Sequence, residues 1–249
     1  MKYLLLIACL LIPGHLLLAQ SNLKYLQTVS NTGIKKGNIH LEVPAGELRL
    51  RTGNSNLVEA EVHYTEPGWK PSFSQHTSNS IADLTFKQPD FKNSDDNNSE
   101  NKWNVSISKT TPVDLYLKMG AGDTKLDLSN SRLGKLDIEA GAVSLDVNLK
   151  GSQAQDIDIN AGVGEVKLDL TGNWDHDVTI DIAGGIGEVT LKLPKGTGVK
   201  LKASGLGDRD MAGLRKNGSY YTNSAFGKSK NTLTINVSGG LGSVRVTEE

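Results

Sequence analysis

The chain has 249 residues, with 27 Lys and Arg against 28 Asp and Glu, and its single cysteine is Cys9. A formal net charge of −1 leaves no strong field to hold nucleic acid or anionic lipid. With no second cysteine an intrachain disulfide is excluded, so stability must come from burial and backbone pairing, which this length permits.

The first residues read Met1, Lys2, an apolar run from Tyr3 to Ile12, a Pro13-Gly14 break, Leu16-Leu17-Leu18 and Ala19. A cationic start, an apolar middle and a small residue before the cut predict a signal peptide over 1–19. Its roughly 17 available residues fall short of the roughly 20 that a comfortable membrane span needs. An uncleaved anchor, or lipid modification at Cys9, is the alternative. The chain is expected to be exported, to the periplasm or the outer cell surface, with no transmembrane segment in its mature part.

From 39 to 110 the pattern is that of a β region. Ala45-Gly46-Glu47-Leu48-Arg49-Leu50 and Leu57-Val58-Glu59-Ala60-Glu61-Val62 alternate apolar and polar residues, as half-buried strands do. A long excursion follows, with Trp69, a strand-like Ala82-Asp83-Leu84-Thr85-Phe86 and a polar tract from Lys92 to Glu100 that reads as a loop.

Between 111 and 247 a glycine motif recurs. Examples are Gly120-Ala121-Gly122-Asp123, Ala161-Gly162-Val163-Gly164-Glu165-Val166 and Gly239-Gly240-Leu241-Gly242-Ser243-Val244. Glycines at 120, 141, 162, 185, 205 and 240 are spaced by 21, 21, 23, 20 and 35, a solenoid period with one insertion at 208–231. Most motifs lead into alternation such as Lys125-Leu126-Asp127-Leu128, and a second run such as Lys135-Leu136-Asp137-Ile138 comes halfway to the next. Two strands per repeat are therefore predicted. Stacking them gives two parallel sheets with Leu126, Leu145, Leu168 and Leu191 facing Leu136, Ile157, Ile180 and Leu201. The predicted fold is all-β, a parallel β-solenoid or flattened β-helix with repeats of about 21 residues. Gly120, Gly122, Gly141, Gly162, Gly164, Gly185, Gly187, Gly205, Gly207, Gly240 and Gly242 are read as structural corners, where positive φ or the backbone of a neighbouring coil leaves no room for a side chain. A phosphate cradle would need a helix after the glycines, and strands follow instead.

Trp103-Asn104-Val105-Ser106-Ile107, Pro112-Val113-Asp114-Leu115, Gly120-Ala121-Gly122-Asp123 and the Gly-x-Gly-Glu-Val copies resemble the bacterial toast-rack family and the C-terminal domain of LiaF-type cell-envelope stress proteins. The resemblance spans roughly 40 to 247. It implies a non-enzymatic, extracytoplasmic β-helical module associated with the response to cell-wall-active antibiotics. LiaF-type proteins carry membrane helices ahead of this domain, whereas this chain has a signal-like segment. Surface adhesins of β-helical form share the same look.

The outward positions set two columns of carboxylates, Asp127, Asp146 and Asp169 on one sheet and Asp137, Asp158 and Asp181 on the other. In register they stand about 5 Å apart and repel. Lys125, Lys135 and Lys167 at flanking positions can relieve the repulsion, and a bound Ca²⁺ is the alternative; otherwise no cofactor is expected. His40, His63, His76 and His176 show no metal-ligand spacing, and no Ser-His-Asp context occurs, so no catalytic residue is expected. If the chain were a carbohydrate-active β-helix enzyme, Asp127, Asp146 and Asp169 with Lys167 or Lys192 would be its candidates. Trp174, Tyr220 and Tyr221 are candidate ligand-binding platforms, or else plugs over the core. The expected function is a non-catalytic binding or scaffolding module of the cell envelope, its partner an envelope protein or a glycan and not nucleic acid, with a surface adhesin as the second reading.

Overall fold

The structure, a computed structural model, describes residues 22–90 and 99–249. The signal-like segment and most of the polar tract after Lys92 lie outside the described residues.

Chain order begins with β1 (Leu23–Val29), β2 (Lys36–Asn54) and β3 (Val58–Tyr64), then a short 3₁₀ turn at Pro67–Trp69, β4 (Ser72–Ser78), β5 (Ile81–Lys87) and β6 (Asn101–Ser108). Four long strands follow, β7 (Val113–Asp127), β8 (Leu133–Asn148), β9 (Asp156–Asp169) and β10 (Val178–Leu193). The C-terminal part holds β11 (Gly198–Leu206), three short strands β12 (Arg209–Met211), β13 (Arg215–Asn217) and β14 (Tyr220–Thr222), and the long β15 (Thr232–Glu248).

The fold is the parallel β-solenoid that the repeat predicts, with one difference in how a repeat is built. Each repeat is one long strand bent at the glycine motif, not two separate strands. Hydrogen bonding continues through the bend because every neighbour bends at the same place: Ala121 pairs with Ala142 and Ala142 with Val163. Each strand thus contributes to two walls. One carries Leu115, Leu136, Ile157, Ile180, Ile235 and Leu201 in register. The other carries Leu126, Val147, Leu168, Leu191 and Val246. These rows are buried in one shared core. Leu145 is two positions from the place expected for it, paired with Thr124 and Val166. A two-residue slip leaves every side chain on the same face, so alternation cannot detect it.

A second corner joins the walls between repeats. Leu128, Leu149 and Leu170 point into it, fully buried, and their backbone N–H groups bond the next coil, as from Leu128 to Asn148 O at 2.9 Å. The hydroxyls of Ser131 and Ser152 meet at 3.0 Å inside it.

The ends depart from simple stacking. At the N-terminal end β5 and β6 complete a coil against the two halves of β2, so the stretch read as an excursion supplies a wall. Antiparallel β4, β3 and β1 lie beyond them. At the C-terminal end the last strand is out of order: β15 lies between β10 and β11, parallel to both. The β13–β14 hairpin covers only Lys200 and Leu201 of the outer edge of β11.

Candidate functional site

The two corners present opposite chemistry to solvent. At the glycine bend the backbones of successive coils approach so closely that a side chain has no place. A Cβ on Gly141 would lie 2.3 Å from Gly120 O, and one on Gly185 2.3 Å from Gly162 O. At Gly122 and Gly164 φ is also positive, at 123° and 138°, a region that costs any residue with a Cβ. Close approach, not positive φ, accounts for Gly120, Gly141, Gly162, Gly185, Gly240 and Gly242, while Gly187, Gly205 and Gly207 combine both.

The residue at the middle of each bend, flanked by glycine on both sides except at Ala45 and Ala142 where glycine stands on one side only, cannot turn inward and forms an outer row. In register the row runs Ala45, Ala121, Ala142, Val163, Ile186, Leu241, Leu206. The last four are 51, 56, 56 and 73% exposed, and among the described residues only Leu26 and Ile81 are comparable large apolar side chains in solvent. The row is thus a continuous one-sided apolar stripe in solvent, on a backbone clamped between its neighbours. Beside it a groove of about 850 Å³ runs along the stack, with Glu42, Lys118, Glu139 and Asn160 along its polar side and the glycine backbones as its floor. At the N-terminal end the Asn101 amide donates to Ala45 O, and at the C-terminal end Arg209 Nη2 donates to Gly205 O at 2.8 Å.

The carboxylate columns fall differently. Asp137, Asp158 and Asp181 do share a row. Lys135 reaches Asp137 at 3.0 Å, and the side-chain amides of Asn160 and Asn236 donate to Asp158 and Asp181, each at 2.8 Å. Burial first, then the charges of Asp137 and Asp181, raises the Asp158 carboxyl above its ordinary value. The other expected column does not exist. Asp146 pairs between Lys125 and Lys167, while Asp127 and Asp169 flank Asn148 two residues away. Asp127 and Asp169 instead accept bonds from Ser129 Oγ at 2.7 Å and Thr171 Oγ1 at 2.6 Å, holding the second corner. Lys167 is ion-paired with Glu165 at 2.8 Å, and Lys192 stands beside Asp169 on the same wall. Among the described residues no three His, Cys, Asp or Glu converge as metal ligands.

Trp174 is no platform. Its ring is buried and its Nε1 donates to Leu170 O at 2.8 Å. The repeat spaced by 23 has its two extra residues in this turn, and the indole fills the space they open. Tyr220 and Tyr221 are half-buried in the C-terminal hairpin, and Lys200 Nζ lies 4.9 Å from the centre of the Tyr220 ring. His40 stacks on Tyr116 at 4.5 Å, His63 contacts Glu61, His76 is exposed in β4, and His176 contacts Asp175 at 2.7 Å.

The exposed aliphatic row is the feature that motif reading passes over. Its signal lies in the middle position of each Gly-x-Gly, which grows from Ala to Leu along the chain.

A family described as the N-terminal domain of toast_rack matches residues 19–168, and one described as cell wall-active antibiotics response LiaF, C-terminal, matches residues 147–246. Among curated sequences nothing matches the chain. Of solved structures, a candidate cell adhesion protein from Clostridium sporogenes is 27% identical, with a TM-score of 0.71 over 92% of this chain and 100% of that one. A candidate adhesin from Bacteroides fragilis is 12% identical over 92% of this chain and 98% of that one, and its TM-score of 0.33 is too low to bear on the reading. These descriptions name the cell wall and adhesion, and none names an enzyme. No helix among the described residues is long and apolar enough to cross a membrane.

Proposed function

From the premise that the chain belongs to the toast-rack family, we propose that it is an exported, non-catalytic cell-envelope module that docks a partner on its glycine-bend face during the response to cell-wall stress. The observation that carries this reading is the row Val163, Ile186, Leu241, Leu206, four aliphatic side chains held in solvent along one line. Leaving four such side chains about half exposed forgoes on the order of 1 kcal/mol each, which burial against a partner recovers. Each of these side chains rises from a bend fixed by its neighbours' backbones, so little order is lost on docking. The overlapping match to the antibiotic-response family supports the stress setting.

The test places a photo-crosslinking amino acid at Ile186, and as control at Lys192 on the flat wall, in a tagged full-length chain in living cells. Mass spectrometry then identifies what is captured with and without a cell-wall-active antibiotic. Capture of an envelope protein at 186 but not at 192, changing with the drug, supports the proposal; equal capture at both removes the bend face from it. The adhesin reading rests on the Clostridium sporogenes neighbour. Recovery of glycan alone, indifferent to the drug, would favour it.

A further inference from the structure

The outer row changes size along the stack in a way that suits one partner in particular. It runs small to large, Ala45, Ala121 and Ala142, then Val163, then Ile186, Leu241 and Leu206, with one residue per coil and coils about 4.8 Å apart. Val163 is the middle of the seven. Turning a second copy end for end about an axis through Val163 sets each large side chain against a small one: Ile186 faces Ala142, Leu241 faces Ala121, Leu206 faces Ala45, and Val163 faces its own copy. Each rung then holds nearly the same volume, which is what close packing asks of an interface.

The neighbouring row on the groove side changes in the reverse sense. It runs Glu42, Lys118, Glu139, Asn160, Ala183, Ser238. The same rotation brings Glu139 over Ala183, Lys118 over Ser238, and Asn160 onto its own copy, where two side-chain amides can exchange hydrogen bonds. No like charges meet on that side. Resting on the reading of the bend face as a docking surface, we infer that one occupant of that face is a second copy of this chain, packed antiparallel about a two-fold axis at Val163.

The other flank adds a signature. There Glu47, Asp123, Ser144, Glu165, Glu188 and Ser243 line up beside the outer row, and the rotation sets Glu165 against its own copy. Glu165 and Glu188 are already engaged by Lys167 at 2.8 Å and Arg245 at 3.3 Å, so no ion pair needs to cross the contact. Added salt screens the acidic flank and strengthens the association, the reverse of an interface held by opposite charges. The contact is roughly 30 Å long and one or two side chains wide. That is below the area of a stable dimer, so the association is weak and relies on confinement in the envelope.

The experiment uses the full chain with Cys9→Ser and single cysteines joined by a short bis-maleimide. Val163→Cys is expected to link to its own copy. Ala142→Cys and Ile186→Cys on differently tagged copies are expected to link to each other several-fold more than either links to itself, with yield maintained or raised by salt. Adding Leu241→Ser to the Val163→Cys chain should lower the yield several-fold. Preferential Ile186–Ile186 linkage overturns the antiparallel geometry. No linkage at any of the three sites overturns the inference outright. In that case in-cell capture of another envelope component at Ile186 keeps the docking reading alive, and failure of both ends it.

Discussion

The two corners of each coil solve the same problem, reversing a chain between two walls, by opposite means. The glycine bend removes side chains so that backbones can nest, and whatever side chain remains is driven outward. The Leu-Ser corner keeps its side chains and turns them in, burying Leu128, Leu149 and Leu170 and pairing Ser131 with Ser152. A corner made of backbone tolerates no atom added to it yet leaves its outer surface free for recognition. A corner made of side chains tolerates losses in proportion to what is lost, and what it shows to solvent is polar, as at Asn130, Arg132, Lys150 and Gln153.

Substitutions at the two corners sharpen that contrast. Gly164→Ala has the largest expected effect, because its Cβ would sit 2.0 Å from Val143 O on a backbone at φ 138°. A loss of about 4 kcal/mol or more, or failure to fold, is expected by chemical denaturation. Leu149→Ala, at the side-chain corner, should cost about 3 kcal/mol by the same measurement, as a cavity in a packed site does. Ser152→Ala leaves the buried Ser131 hydroxyl without its partner and should cost about 1 kcal/mol. Asp158→Asn acts through charge on the flat wall. A raised folded-state value means that folding favours the protonated acid, so a penalty is complete above the folded value and vanishes below the unfolded one. The variant should therefore melt slightly higher than the parent at neutral pH, with the difference closing as pH falls through the carboxylate range. Ile186→Ser should be the mildest, within about 0.5 kcal/mol of the parent in stability, while capture at the bend face is lost. If Ile186→Ser were as costly as Leu149→Ala, the contrast between the corners would fail.

Alternation and glycine spacing made the walls, the period and the bends legible because each coil repeats the same local chemistry. They could not show that the strand continues through the bend, since that depends on neighbours bending together. Nor could they separate Leu145 from its row, because a slip of two residues preserves the facing. Beside Asp175, His176 and Asp177 the sequence leaves Trp174 open as a platform or a plug, and only the two extra residues in its turn, visible once coils are stacked in register, place it inside. The candidate site was half visible: the glycines stood out by their spacing, but the outward direction of Val163 and Ile186 follows from the bend itself. The seating of β15 was hidden because β11 and β15 carry the same motif, and either order would satisfy it.

That seating has a consequence for timing. The chain is made from its N-terminus, and the stack through β10 can form as it emerges, β7 laid on β2 and each strand from β8 to β10 on the one before. β11 cannot take its final place then, because the 17-residue strand that separates it from β10 is made after it. Either β11 waits, or it first occupies the open edge of β10 and must be displaced when β15 arrives. β15 thus acts as a keystone, and the end of the outer row at Leu241 beside Leu206 is assembled only once β15 itself has been made.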